Sequence, residues 1–178
     1  MAFRISGARM RFVKTDGAER LVPSETVKRI ASHVPGYVGY SKKESREASD
    51  LLIRNYVASA ASSALAKLAD PEARERVGVA LEGLKRKLET RDYSRFFELG
   101  EIDEEILEQV YARDLALVEA AKMLEDAEGA DQTAELLKAL ERALDSRNKV
   151  LKDISEAPPA VLKPRKKRES LLRRILRG

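Results

Sequence analysis

The sequence predicts a mainly α-helical fold: a bundle of four long helices plus a short helix, with an N-terminal β-hairpin and a basic, flexible C-terminal arm. Apolar residues recur at spacings of three and four through most of the chain, which is the period of helices buried on one face. Capping residues begin these stretches, and glycine or proline ends them. We divide the chain into a hairpin at 1–22, packed on or extending from the bundle, a helical bundle at 23–156, and a proline-containing linker with a basic amphipathic tail at 157–178.

The hairpin is predicted from alternation around a turn signal. Met10 and Phe12 alternate with Arg9 and Arg11, and Asp16-Gly17 then supplies a pair that tolerates a tight type I′ turn. A lone hairpin is not stable in water, so we expect it to pack on the bundle or to extend a partner's sheet.

The first half of the bundle contains a short helix and a long one. The short helix begins at Pro23-Ser24, ends at Pro35-Gly36, and places Val27, Ile30, Ala31 and Val34 on one face. The spacing of Ser41 and Glu44 predicts a capping box that opens a helix running to Ala69. Its second half is rich in alanine and serine, which permits close approach of neighbouring helices and predicts a central position.

Three further helical regions follow. Asp70-Pro71 begins the third long helix, which is followed by an aromatic connector at 91–100. Asp103 caps a helix to about Glu128, and residues 132–155 form the last one, so the final pair is an antiparallel hairpin. The predicted inward residues of these three helices are Val77, Ala80, Leu81, Leu84, Leu88, Ile106, Leu107, Val110, Leu117, Val118, Ala121, Leu124, Leu136, Leu137, Leu140, Leu144, Val150, Leu151 and Ile154.

Composition excludes several functional classes. The absence of cysteine excludes thiolate zinc sites and cysteine nucleophiles, and a single histidine excludes multi-histidine metal sites. No apolar run approaches the ~20 residues of a membrane span, and nothing reads as a signal peptide. We therefore expect a soluble cytoplasmic protein without a cofactor or a metal. Abundant charge with only four asparagine or glutamine residues also suggests heat adaptation.

Charge is distributed unevenly along the chain. Residues 163–178 hold eight cations and one anion, residues 1–22 sum to +3, and the stretch between them sums to −6. Basic ends attract phosphate backbones, anionic lipids or acidic protein surfaces. The sequence thus predicts that a partner binds at the two ends of the chain.

Three interpretations of the C-terminal tail remain open. Its cations fit a nucleic-acid backbone, its leucines and isoleucine fit a groove on a partner protein, and the whole segment fits weakly to an anionic membrane surface. We expect nucleic acid, DNA or RNA, to be the partner, together with a protein partner or a second copy of the chain, and we do not expect a membrane. The predicted nucleic-acid-binding residues are Lys163, Arg165, Lys166, Lys167, Arg168, Arg173, Arg174 and Arg177, with a weaker contact from Arg4, Arg9 and Arg11, and the predicted partner-docking residues are Leu171, Leu172, Ile175 and Leu176.

One acidic pattern points to a different function. Glu104-Glu105-Ile106-Leu107-Glu108 and the later Glu128-Gly129-Ala130-Asp131 form E-E-x-x-E…E-x-x-D. This resembles the signature of all-α nucleotide pyrophosphatases, the MazG and dUTPase-like enzymes, and the resemblance implies carboxylates that hold Mg²⁺ against a nucleoside triphosphate. On a helical wheel, however, Glu105 and Glu108 point away from the apolar stripe, and Gly129 interrupts the second half. We therefore predict a solvated acidic face.

Two other features are interpreted as structural. His33 lies at a helix end without a nucleophile motif nearby, so we expect it to cap or pack. Phe12 in the hairpin and Phe96 and Phe97 in the connector lie beside arginines and fit base stacking, but packing is the simpler prediction for all three. The function predicted from the sequence is a non-catalytic structural or assembly subunit of a nucleoprotein complex. The alternatives are a protein–protein adaptor that docks through its tail and the magnesium-dependent pyrophosphatase.

Overall fold

The computed structural model describes residues 24–163, and this part of the chain contains seven helices and no strand. The helices are α1 (Glu25–His33), α2 (Lys43–Ala66), α3 (Pro71–Glu89), α4 (Arg95–Glu98), α5 (Glu104–Glu125), α6 (Ala130–Glu156) and α7 (Pro159–Leu162). The mainly α-helical class is therefore confirmed. The N-terminal hairpin lies outside the described residues and stays a prediction.

Four long helices form a bundle in which α2 and α6 are each neighbours of α3 and α5. Ser41, just before α2, contacts Glu104 at the start of α5, and Lys67, just after α2, donates to the carbonyl of Glu125 at the end of α5. The helices α2 and α5 are therefore parallel, and short connections make α3 antiparallel to α2 and α6 antiparallel to α5. We call the end of the bundle that holds the starts of α2 and α5 the lower end.

Side-chain caps begin α1, α3 and α5, where the sequence places helix starts, whereas α2, α4, α6 and α7 have none. Ser24 accepts from the amide of Val27, Asp70 caps α3, and Asp103 accepts from the amide of Glu105. The predicted capping box at Ser41 is wrong, because the N-cap of α2 is Lys42 and makes no side-chain cap. The hydroxyl of Ser41 instead contacts Glu104 and Tyr111 on α5, so a tertiary contact replaces the local one.

The predicted apolar stripes form the core. Of the inward residues predicted for α3, α5 and α6, all are buried except four, which are half-buried against the core. The four half-buried residues are Ala80, Ile106, Leu136 and Val150. The alanine- and serine-rich helix α2 contacts α3, α4, α5 and α6, as its predicted central position requires, although Ser59, Ser62 and Ser63 face solvent.

The connector between α3 and α5 closes the lower end of the bundle. Tyr93 and Phe96 are fully buried there, and Phe97 packs beside them at ring-centroid distances of 5.8 and 5.9 Å. Tyr37 and Tyr40, which the sequence left unassigned, are also buried. Packing therefore accounts for the aromatic residues of the connector, and Phe96 has no exposed face for a base.

No helix within residues 24–163 combines the length and the apolar character needed to cross a membrane.

Candidate functional site

The basic segments predicted to bind a partner lie mainly outside the described residues. Lys163 is described and exposed. The remaining predicted cations and the four docking residues fall in 1–23 or 164–178, so their roles stay predictions. We call residues 1–23 the N-terminal arm and residues 163–178 the C-terminal arm. The structure does show where each arm joins the body, which is residues 24–162.

The C-terminal arm leaves the body at the first residues of α5. After α6, the predicted linker at 157–160 turns into the short helix α7, and Leu162 is buried against the body. The carbonyl of Leu162 accepts a hydrogen bond of 2.7 Å from the amide of Asp103, the N-cap of α5. Leu162 is thus part of the packed body, and Lys163 follows directly after the residue that contacts Asp103.

The N-terminal arm leaves the body near the same place. It joins Ser24, the N-cap of α1, and the hydroxyl of Thr26 donates to Oε2 of Glu108 on α5 at 3.3 Å. Farther along, Arg29 pairs with Glu119 at 2.6 Å and holds α1 against α5. Asp103 and Glu108 are about 7.5 Å apart along the helix axis, at 1.5 Å per residue. Both arms therefore join the body beside the first two turns of α5.

This place is strongly acidic. Residues 98–108, which we call the acidic segment, contain six carboxylates and no cation: Glu98, Glu101, Asp103, Glu104, Glu105 and Glu108. Three of them are exposed, namely Glu98, Glu101 and Glu105. Burial raises the pKa of Glu104, the hydrogen bond from Ser41 opposes this, and the neighbouring charges of Glu108 and Asp103 raise it further. Besides burial, the like charges of its neighbours therefore contribute to the raised pKa of Glu104.

The structure does not bring together the carboxylates of the pyrophosphatase pattern. Glu105 lies in the first turn of α5 and Glu128 follows its last turn, so about 30 Å of helix separates them at 1.5 Å per residue. Across residues 24–163, no group of three or more histidine and carboxylate side chains is arranged to hold a metal ion. The sequence predicted that these carboxylates face solvent, and Glu105, Glu128 and Asp131 are all exposed.

A second polar feature, which sequence reasoning missed, lies inside the bundle. Arg147 of α6 is fully buried and pairs with Asp50 of α2 at 2.8 Å and with Asp114 of α5 at 2.5 Å. Asp114 also accepts hydrogen bonds of 2.7 and 2.6 Å from the hydroxyls of Tyr37 and Tyr40. We call these five residues, with Arg54 and Tyr93, the buried network.

Arg54 and Tyr93 complete its hydrogen bonding. Arg54 pairs with Asp50 at 3.0 Å and donates to the Tyr93 hydroxyl and to the carbonyl of Leu88, while Tyr93 donates to Asp50. Every buried side-chain nitrogen and oxygen within residues 24–163 has a hydrogen-bond partner. Two arginines and two aspartates balance in charge, and none of the network's buried side-chain nitrogens and oxygens lacks a hydrogen-bond partner.

The network shifts the titration of its members. Burial by itself raises the pKa of Asp50, but the charges of Arg147 and Arg54 outweigh burial and lower it. Burial likewise opposes the charged form of Arg147, yet Asp114, Tyr40 and Asp50 together raise its pKa well above the usual value. Asp50 and Arg147 therefore stay charged in the core.

Sequence signals for this network existed. Arg46, Asp50 and Arg54 recur every four residues, which places them on one side of α2. Asp114 and Arg147 interrupt apolar stripes at inward positions. Charged side chains at such positions are buried only when they are paired. The sequence could therefore have predicted that Asp114 and Arg147 form an ion pair.

An open surface depression of ≈ 320 Å³ lies between the end of α3 and α6. Its lysines are already paired with carboxylates: Lys87 with Asp145 at 2.7 Å, Lys149 with Asp153 at 3.0 Å, and Lys152 with Asp92 at 3.3 Å. Because the positive charges are neutralised within the depression, it offers no field for an anion. Its lining residues are Lys87, Thr90, Asp92, Asp145, Asn148, Lys149 and Lys152.

No family model matches this chain, and no curated protein or solved structure matches it. The functional argument therefore rests on the chain's own residues and their placement.

Proposed function

We propose that this protein is a non-catalytic structural or assembly subunit of a nucleoprotein complex, in which both basic arms contact the phosphate backbone of one nucleic acid. The observation that carries the proposal is the shared attachment of the two arms beside Asp103 and Glu108. Two cationic segments that begin at one place reach the same ligand together. Linked contacts of this kind act at a high effective concentration and bind more tightly than either contact alone.

The charge distribution supports an arm-mediated contact. The body carries −6, whereas the C-terminal arm carries +7 and the N-terminal arm +3. A phosphate backbone is attracted to the arms and repelled by the body. Binding through the arms thus leaves the helical body available for contacts with protein.

The first experiment measures oligonucleotide binding across a salt series. The full chain is compared with a variant in which Arg165, Lys166, Lys167 and Arg168 are replaced by glutamine. Each phosphate contact contributes a slope of about 0.9 for duplex DNA, or about 0.7 for a single strand, in the log–log plot of affinity against salt. We expect the slope to fall by about 3 units in the variant if all four cations contact phosphate.

A matched control separates position from net charge. Replacing four exposed cations of the body by glutamine removes the same charge, and we expect it to leave the slope unchanged within about one unit. These cations are Arg76, Arg113, Lys122 and Arg142. Equal losses in the two variants would show that binding follows net charge and would overturn the role of the arm.

The shared attachment is tested by stoichiometry. If both arms hold one nucleic acid, the full chain binds one short oligonucleotide, and replacing Arg4, Arg9 and Arg11 by glutamine weakens that single event. Two oligonucleotides per chain would contradict a shared contact. The absence of binding at low salt by the full chain would overturn the proposed function altogether.

A further inference from the structure

We propose that residues 157–162, which we call the latch, open and close as a unit on the folded body, and that the closed latch keeps the C-terminal arm beside the N-terminal arm. The two states differ in whether Leu162 is buried against the body and bonded to Asp103. Opening does not rest on the function proposed above, whereas its effect on nucleic-acid binding does.

A single side chain anchors the outer part of the latch. Residues 158–161 are all exposed, whereas Leu162 is buried and its carbonyl accepts a hydrogen bond of 2.7 Å from the amide of Asp103. Burying a leucine favours the closed state by a factor of about 10 to 150, and one hydrogen bond adds a factor of about 2 to 12. The entropy of ordering the latch opposes both. The balance is small beside the stability of a whole domain, so the latch opens while the body stays folded.

The surface that receives the latch is held by contacts of its own. The fully buried guanidinium of Arg46 donates to the carbonyls of Leu99 at 2.5 Å and Gly100 at 2.8 Å. These bonds fix the chain that leads into α5. The side chain of Asp103 accepts from the amide of Glu105 at 2.9 Å and caps α5 independently of the latch. The start of α5 therefore keeps its shape when the latch opens, and the latch has a preformed place to which it returns.

Two prolines separate the latch from α6. This helix ends at Glu156, and the amide of its C-cap, Ala157, donates to the carbonyl of Ile154 at 3.2 Å. Pro158 and Pro159 follow, and neither has an amide hydrogen with which to continue the helix. Opening therefore pivots the chain at a place where α6 has already ended, and the helix does not unwind.

Opening changes the reach of the C-terminal arm. In the closed state the arm starts beside Asp103, about 7.5 Å along α5 from Glu108, where the N-terminal arm joins the body. In the open state the six latch residues add up to about 20 Å of free chain. The linker from the attachment point to Arg165 grows from three residues to nine. Effective concentration falls roughly as the −3/2 power of linker length, so the C-terminal arm should be about fivefold less concentrated at a ligand held by the N-terminal arm.

Native-state hydrogen exchange of the full chain, followed by NMR, tests the opening. We expect the Asp103 amide to be protected about 10- to 1000-fold, with almost no dependence on dilute denaturant, because opening exposes little surface. The amide of Val110, buried in the same helix, should be protected about 10⁴-fold or more and depend steeply on denaturant, because its exchange requires global unfolding. Identical behaviour of the two amides would show that the latch moves only with the whole body. An unprotected Asp103 amide would show that the latch is not closed, and either result would overturn the proposal.

Two neighbouring substitutions identify the anchor. Leu162→Ala removes the buried side chain and should lower the protection of the Asp103 amide by about tenfold or more, while circular dichroism still reports a helical body. Val161→Ala removes a side chain that is 48% exposed and should change this protection by less than about threefold. Equal losses in the two variants would contradict Leu162 as the anchor of the latch.

Oligonucleotide binding tests the link between the arms. We expect Leu162→Ala to bind a short oligonucleotide about fivefold more weakly with an unchanged salt slope, because the same phosphates are contacted. When Arg4, Arg9 and Arg11 are replaced by glutamine, the same substitution should cause no further loss, since only one arm then binds. Equal losses in both backgrounds, or no loss in either, would overturn the link. The absence of binding by the native chain would refute the proposed function, whereas the exchange of the Asp103 amide decides the opening separately, so the two failures are distinguishable.

Discussion

Removal of Arg147 is the sharpest test of the buried network. In Arg147→Met the side chain keeps its apolar stem, but Asp50 and Asp114 lose a guanidinium at 2.8 and 2.5 Å in a fully buried site. Breaking a buried ion pair in this way costs about 3–5 kcal/mol of unfolding free energy, because a charge is left without its partner. We expect a loss of about 4 kcal/mol at pH 7.

The same variant has a predictable dependence on pH. In the native chain the lowered pKa of Asp50 stabilises the fold above the unfolded value of ~3.9, and this stabilisation is lost as pH falls through the folded value. Without Arg147, the effect of burial on Asp50 gains weight and its pKa rises. A raised carboxyl pKa destabilises the fold at neutral pH and not in acid, so the difference between the two proteins should shrink as pH falls from 7 to about 4.

Guanidinium unfolding followed by circular dichroism measures both effects. At a typical dependence of the unfolding free energy on guanidinium concentration, the unfolding midpoint of Arg147→Met should lie about 1 M below that of the native chain at pH 7. Lys87→Met breaks the exposed pairs with Glu141 and Asp145 and serves as the control, with a loss of at most about 1 kcal/mol. If Arg147→Met does not fold, Asp114→Asn keeps one oxygen that accepts from the two tyrosine hydroxyls and should lose about 2 kcal/mol. A loss for Arg147→Met no larger than the control's, or one that grows in acid, would refute this account of the network.

Three further perturbations test other contacts. Arg46→Met leaves the carbonyls of Tyr40, Leu99 and Gly100 without their donor, so we expect a loss of about 2–3 kcal/mol and faster proteolysis at residues 98–101. Gly39→Ala forces a methyl group to 3.1 Å from Tyr111 at a φ of 79° and should destabilise the chain by about 1–3 kcal/mol, whereas Gly83→Ala in the open interior of α3 should stabilise it by about 0.5–1 kcal/mol in thermal or denaturant unfolding. Burial raises the pKa of Tyr111 to about 12, and burial is the leading cause of the raised pKa values of Tyr37, Tyr40, Tyr56 and Tyr93. Absorbance at about 295 nm should therefore show little tyrosinate in the folded chain near pH 10.5, and the free energy of unfolding should fall as pH rises above ~10. Substantial tyrosine ionisation near pH 10.5 without unfolding would contradict this account.

The helices were predictable because their signals are local and repeated. Asp70-Pro71 and Asp103 begin helices where the sequence places them, and the apolar stripes of α3, α5 and α6 face the core. The capping box at Ser41 failed because a tertiary partner, Tyr111, lies 70 residues away and no local pattern reports it. Tyr37 and Tyr40 were undecidable for the same reason, since their partner Asp114 lies on another helix.

The candidate site was predictable in its charge and not in its geometry. The basic arms could be located from the sequence alone, because the net charge of a segment is the sum of the charges of its residues and does not depend on the fold. Their common attachment depends on the Leu162–Asp103 and Thr26–Glu108 contacts, which join segments 59 and 82 residues apart. Local patterns carry no information about which helix end meets which.

The buried network and the arm attachments lie in the same half of the bundle, and this has a mechanical consequence. Asp50, Asp114 and Arg147 come from α2, α5 and α6, so their hydrogen bonds fix the register of three helices at once. A one-residue slip of α6 would leave Asp114 buried without a cation and would deprive Asp50 of one of its two, whereas a slip between purely apolar faces would cost far less. Because Leu162, which follows α6, accepts a hydrogen bond from Asp103 at the start of α5, the register of that pair determines where the C-terminal arm begins. Replacing Asp114 by Asn and Arg147 by Met together keeps the Asp50–Arg54 pair and an oxygen that accepts from the tyrosine hydroxyls, so it should preserve much of the stability but loosen the Leu162–Asp103 contact. Hydrogen exchange at the Asp103 amide would report that loosening, and unchanged protection there would limit the network's role to packing.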